Sequence, residues 1–179
     1  MKRILLIILA SILLTGCEER DRDKGVNPNI LPEATQKGAN TAGCKVDGKV
    51  WVVSRNYIPK IGGGGTYVEK NGGYEIVRLN VRKVFDEGSQ LYIKIYTDSV
   101  KINKKYIFIE NDSMAFSNRA MYIPEFFGEG YLATKGHMII TYLDRDKKVV
   151  SGTFEFEAKN REGQIIKITQ GRFDKRYNY

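Results

Sequence analysis

The chain has 179 residues, 42% of them hydrophobic, with 29 Lys+Arg against 21 Asp+Glu, a formal net charge of +8 and two cysteines. The charge is mixed in sign, without a run of five or six like charges, and neither a recognition helix nor a zinc-ligand spacing occurs. These features argue against nucleic acid as the partner.

The first element is a short leader. Lys2 and Arg3 precede an apolar run from Ile4 to Leu14 that only Ser11 interrupts. A membrane-spanning helix needs about 18 or more apolar residues, so the run is too short to span and matches the h-region of a secretory signal, which takes about 7–15. It closes with Leu14-Thr15-Gly16-Cys17, which resembles the lipobox of bacterial lipoproteins. There the cysteine thiol receives a diacylglyceryl group and signal peptidase cuts just before it. The resemblance implies a cleaved signal over 1–16 and at least two acyl chains, palmitate among them, on Cys17. With each buried methylene contributing about 0.8 kcal/mol, two chains anchor a protein firmly to a lipid bilayer without spanning it. Glu18-Glu19-Arg20-Asp21-Arg22-Asp23 follows and resembles the export signal of surface-exposed lipoproteins in Bacteroidota-type bacteria. That implies the outer membrane, with the cell surface favoured over the periplasmic leaflet.

Without Lys2 and Arg3 the chain keeps 27 Lys+Arg against 21 Asp+Glu. A soluble surface with a modest lysine excess explains this, and an acidic glycan or lipopolysaccharide phosphate is the ligand class it leaves open. Once Cys17 is acylated, Cys44 is the one remaining thiol. No intramolecular disulfide can then form, and stability must come from a core built by residues 43–179.

Glu18 to about Ile30 is polar, without an apolar period, and reads as a tether. The tether is expected to run over 17–42, with Leu31–Ala42 having the alternative of packing along the domain edge. Asp47-Gly48 then sits between Gly-Cys-Lys-Val and Lys-Val-Trp-Val-Val, a two-residue type I′ hairpin signal. That register places Cys44 opposite Trp51 and Val46 opposite Lys49, with Cys44, Val46, Trp51 and Val53 on one face. It predicts a buried thiol acting as a small core hydrophobe. Arg55–Gly73, with Pro59, Gly62–Gly65 and Asn71-Gly72-Gly73, reads as a long loop, although Thr66-Tyr67-Val68 has strand character.

Strands are expected at Tyr74–Phe85, Leu91–Thr97 and Lys105–Glu110, with weaker candidates at Met114–Phe116 and Met121–Ile123. Pro124–Gly130 reads as a loop or short helical turn. His137–Leu143, Val149–Lys159 and Gln164–Tyr177 form the best-patterned part, with Phe154, Phe156 and Ala158 alternating with Thr153, Glu155 and Glu157. No window of the mature chain carries a helical period. The fold class expected is all-β, a single antiparallel β-sandwich, with a flattened β-barrel as the alternative.

The usual catalytic patterns fail on chemistry. The four-glycine run lacks the Lys-Ser/Thr of a phosphate loop and the helix that follows it. His137 is the single histidine, which is too few ligands for a zinc site, and no nucleophile signature accompanies it. Glu125 and Glu129 flank Phe126-Phe127, and Asp144 and Asp146 share a turn with two lysines. Both pairs read as solvated acids, and the second is a poor calcium loop because it has no bidentate Glu. The expectation is therefore no enzyme, no catalytic or metal residue and no cofactor. Aromatic residues suit both strands and glycan platforms, and Tyr57, Tyr67 and Tyr74, in or beside the Gly-rich loop, are the candidate ligand-binding residues.

The stretch Leu31-Pro-Glu-Ala-Thr-Gln-Lys-Gly-Ala-Asn-Thr-Ala-Gly-Cys-Lys-Val-Asp-Gly-Lys-Val-Trp51, with Ser151-Gly-Thr-Phe-Glu-Phe-Glu-Ala and Ile168-Thr-Gln-Gly-Arg-Phe-Asp174, resembles a Bacteroidota-type lipoprotein family with a domain of unknown function. Ala42 departs from the aromatic often found before its Gly-Cys pair. The resemblance implies a secreted β-rich domain and transfers no functional residue. The function expected is a lipid-tethered binding or accessory module. The alternatives are a structural partner of an outer-membrane assembly and a carboxylate-dependent glycan hydrolase. A concave aromatic surface would favour a glycan ligand and a flat apolar patch a protein partner. Two carboxyls about 5–9 Å apart in a cleft would favour the hydrolase.

Overall fold

The computed structural model describes residues 27–53, 65–83, 88–110, 116–125 and 128–177. Its strands are β1 (Thr41–Val46), β2 (Lys49–Val52), β3 (Gly65–Asn71), β4 (Tyr74–Arg82), β5 (Gln90–Thr97), β6 (Lys105–Ile109), β7 (Arg119–Ile123), β8 (Tyr131–Asp144), β9 (Val149–Lys159) and β10 (Ile165–Arg176). The described residues contain no helix. All strands join one antiparallel sheet in the order β2-β1-β10-β9-β8-β7-β5-β4-β3, and β6 takes a second stretch of the β8 edge. The sheet curls on itself, so one continuous sheet provides the two facing layers of a sandwich or flattened barrel.

The first hairpin follows the predicted register. Cys44 pairs with Trp51 and Val46 with Lys49, and Asp47 and Gly48 turn with φ of 46° and 81°, as a type I′ turn demands. Cys44 is fully buried, and burial pushes its thiol up to about 12. In β9 the side chains of Phe154, Phe156 and Ala158 are buried while Thr153 and Glu155 are exposed. Inward-facing residues of every strand merge into one core, from Cys44 and Trp51 through Leu79, Leu91, Phe108 and Ala120 to Met138, Phe156 and Phe173.

The long loop expected over Arg55–Gly73 is shorter than its glycine content suggests. Gly65–Asn71 is β3, with Thr66 and Val68 buried, and Gly72-Gly73 makes a tight turn into β4. The β4 strand supplies a complete antiparallel partner from Gly65↔Asn80 to Asn71↔Tyr74, and that ladder outweighs the low strand propensity of glycine. Residues 54–64 lie outside the described residues. Of the weak candidate at Met114–Phe116, only Phe116 is described, and it lies in a bend. The strand expected from His137 begins six residues earlier, at Tyr131.

Three glycines set the curl. Gly136 pairs with Phe156, Gly152 with Phe173 and Gly171 with Phe154 on adjacent strands. A methyl group at any of them would overlap the neighbouring strand or its ring. Each phenylalanine thus covers backbone that lacks its own side chain, a device that bends sheets without opening a void. Register shifts between Ile168 and Gly171, and at two places in β8, add to the bend.

Of the stretch from Leu31 read from the sequence as tether or edge packing, Thr35–Asn40 is hydrogen-bonded to β10, and β1 begins at Thr41. The fully buried Asp174 carboxylate accepts hydrogen bonds from the hydroxyls of Thr35 (2.5 Å) and Ser151 (2.8 Å) and the amides of Lys37 (3.0 Å), Gly38 (2.8 Å) and Ala39 (3.0 Å). Burial alone would raise its pKa, but the donors, Thr35 foremost, hold it down to about 2.

Candidate functional site

The outer face of β3, β4, β5 and β7 departs from an ordinary wet sheet surface. Strand alternation turns Val77, Leu79, Ile93, Ile95 and Ala120 into the core, so the residues between them face outward. Register aligns three of those in one row: Arg78 opposite Lys94, and Lys94 opposite Arg119. Like charges placed directly across strands repel. Glu69, 3.6 Å from Arg78, is a carboxylate beside the row.

Two members of this basic row are buried. Lys94 is 5% exposed and Arg119 is 7% exposed, and the Arg119 Nε and Nη1 atoms have no hydrogen-bond partner among the described residues. The Lys94 ammonium is held below its ordinary pKa by burial first, then by Arg119 and Arg78. Tyr67 stands opposite Arg78 at one end of the row. Tyr92 and Tyr96, two residues either side of Lys94 on β5, flank it at about 7 Å of strand rise.

An aromatic cluster continues from the row. Tyr74 stacks on Tyr96 with ring centres 4.8 Å apart, and Phe116 meets the Tyr96 ring edge-on at 5.4 Å. Tyr74 is 45% and Phe116 75% exposed. Asn118 positions this corner, its side-chain oxygen accepting from the Tyr96 amide and its Nδ2 donating to the Ile107 carbonyl. Ile107 and Ile109 project outward from β6 and are about half exposed.

Residues 44–175 match the model of a domain of unknown function, DUF6252. The chain belongs to this family. No curated protein and no solved structure matches it. The DUF6252 match runs from Cys44 within β1 to Lys175 within β10 and includes the basic row and the aromatic cluster.

Of the three tyrosines singled out from the sequence, Tyr74 joins the cluster, Tyr67 is half-buried beside Arg78, and Tyr57 lies outside the described residues. Cys17 and Leu14, Thr15 and Gly16 of the lipobox also lie outside them. His137 sits mid-strand in β8, its Nδ1 3.7 Å from Glu155. Two of the acids weighed for catalysis, Glu129 and Asp144, have local partners. Glu129 accepts the Arg161 amide at 2.8 Å, and Asp144 accepts the Lys147 amide at 2.8 Å and the Tyr142 hydroxyl at 3.1 Å. Glu75, one of the buried carboxylates, is held by Arg145 at 2.8 Å and the Val100 amide at 2.6 Å.

Sequence reading missed Arg78, Lys94, Arg119, Tyr96 and Phe116. A faint signal existed: each cation interrupts an apolar strand, in Tyr-Glu-Ile-Val-Arg78, Tyr-Ile-Lys94-Ile and Arg119-Ala-Met-Tyr. Only the register of three strands shows that the three share a row.

Proposed function

We propose that this DUF6252 protein is a lipid-anchored, non-enzymatic binding module of the outer membrane, displayed toward the cell surface, that holds a glycan on the outer face of β3–β4–β5–β7. The observation that carries this reading is the Tyr74–Tyr96 stack with Phe116, exposed at the surface beside a row of cations. Sugar rings bind aromatic faces through apolar C–H surface while their hydroxyls keep hydrogen bonds at the rim, and a half-exposed stacked tyrosine offers such a face. A concave aromatic surface is the feature that would favour a glycan from the sequence, and these aromatics lie instead on the outer face of the sheet. Here the inner side of the curl is filled by core, which leaves the outer face as the platform. The anchor rests on Leu14-Thr15-Gly16-Cys17 and the export reading on Glu18–Asp23.

Two experiments test the two halves. Affinity electrophoresis of the full chain through gels containing polysaccharides should show retardation that Tyr74→Ala and Phe116→Ala each reduce several-fold. Equal mobility of parent and variants in every polysaccharide would sink the glycan reading. Cys17→Ser should abolish palmitate labelling and release the protein from membranes, and unchanged labelling would remove the anchor. A second reading, a protein partner in an outer-membrane assembly, has its own support in the half-exposed Ile107 and Ile109 of β6. It predicts that Ile107→Lys, rather than Tyr74→Ala, disrupts co-purification from membranes.

A further inference from the structure

A guanidinium with two of its three nitrogens buried and unpartnered is among the costliest arrangements a fold can retain. Arg119 is in that state: Nε and Nη1 carry three of its five N–H donors, and no acceptor among the described residues reaches them. It also sits in register with Lys94, which sits in register with Arg78, so the cost of desolvation adds to that of like-charge repulsion. A structural arginine at a strand start would be expected to bond a carbonyl or a carboxylate. The carboxylate beside the row, Glu69, lies against Arg78 at its more open end, where the Arg78 side chain is 40% exposed. An external anion would satisfy the unmet donors and relieve the repulsion together.

We propose that the Arg78–Lys94–Arg119 row is an oxyanion-binding site, and that the glycan held by this face is acidic, its carboxylate or phosphate group resting on Arg119 while a sugar ring stacks on the Tyr74–Tyr96 side. The oxyanion rests on this chain's own geometry, and its placement on a sugar rests on the glycan reading above. Arginine is suited to the role because its planar donors match a carboxylate or phosphate. Arg78 is the more exposed end of the row and Lys94 and Arg119 its buried members, with the tyrosines two residues either side of Lys94 on the same strand. Burial first, and then Arg119 and Arg78, holds the Lys94 ammonium below its ordinary pKa.

The test uses the full chain in a neutral detergent with three probes: tetragalacturonate, its neutral methyl ester, and inorganic phosphate. Calorimetry gives affinities, and the Arg119 Nε–H resonance reports contact. Tetragalacturonate should bind, shift that resonance and raise the melting midpoint, and Arg119→Met should weaken it about tenfold or more. Arg119→Met should itself melt no lower than the parent, because it removes an unpaired buried charge. Arg78→Gln, at the half-exposed end, should weaken binding severalfold without disturbing the fold, and it decides the matter if Arg119→Met fails to fold. If the methyl ester binds as tightly as the acid, glycan binding stands and the oxyanion site is overturned. If phosphate binds through Arg119 and neither saccharide does, the oxyanion site stands and the glycan reading falls. Undiminished binding in both variants, or no response to either anion, ends the proposal.

Discussion

Asp174 shows what one buried side chain contributes. Its charge is tolerable at zero exposure because five donors converge on it, three of them backbone amides of the 37–39 segment. The folded carboxyl titrates near 2 against 3.8 for the ordinary group. Its stabilisation, about 2 kcal/mol, is therefore complete above pH 4 and disappears as pH falls toward 2. Asp174→Asn should cost about 2–4 kcal/mol at neutral pH in urea titrations, strip hydrogen-exchange protection from the Gly38 and Ala39 amides, and flatten the stability curve between pH 4 and 2. Nothing in Arg-Phe-Asp174-Lys-Arg distinguishes this aspartate from a solvated one, since its partners in the 35–39 segment lie more than 130 positions away. Cys44 is the opposite case, legible from the Asp-Gly turn alone. Its thiol, raised to about 12 by burial, should resist alkylation at pH 8 in the native protein. Cys44→Ser should lower stability by about 1–3 kcal/mol by burying a hydroxyl in the apolar core.

Elements were legible where both halves of a pairing lay close in sequence. The β1–β2 hairpin and the β8–β9–β10 run announced themselves through turn residues and strict alternation. The β3 strand was obscured because Gly65 and Asn71-Gly72-Gly73 lower its propensity, although the same residues make the turn that pairs it with β4. The neighbouring of β1 and β10 had no local signal at all. Nor did the glycines that bend the sheet, which sequence reading left without a role. Gly171 abuts Phe154 and its backbone oxygen, so Gly171→Ala must push two strands apart and should cost more than about 2 kcal/mol. Gly136→Ala should cost a similar amount, with φ of +140° adding strain to the overlap with Phe156. Gly48→Ala is the control: its site is open and only φ of +81° resists, so about 1 kcal/mol is expected. Denaturant titrations of the three variants would rank them, and equal costs would deny the glycines their part in the curl.

For the molecule as a whole, contacts across the curl decide whether it unfolds as one unit. Trp51, the single tryptophan, lies on β2 near one end of the strand order. Its Nε1 donates to Ser89 at 2.7 Å, and its ring meets Tyr122 of β7 edge-on at 6.2 Å. On the other side, Arg145 in the β8–β9 turn reaches Glu75 at the start of β4. Strands far apart in the ladder are thus joined through the interior, and every strand contributes to one core. Such a body cannot expose Trp51 while keeping Cys44 hidden, because the two face each other across one hairpin. Trp51 emission, Cys44 alkylation and the far-ultraviolet strand signal should therefore change at the same denaturant concentration. Ser89→Ala should move all three midpoints together, by the equivalent of about 1–3 kcal/mol for an indole N–H left buried without an acceptor. If tryptophan emission shifts first and the strand signal persists, the closure between β2 and β7 is a separate, weaker joint, and the curl is held by the hydrogen-bonded ladder alone.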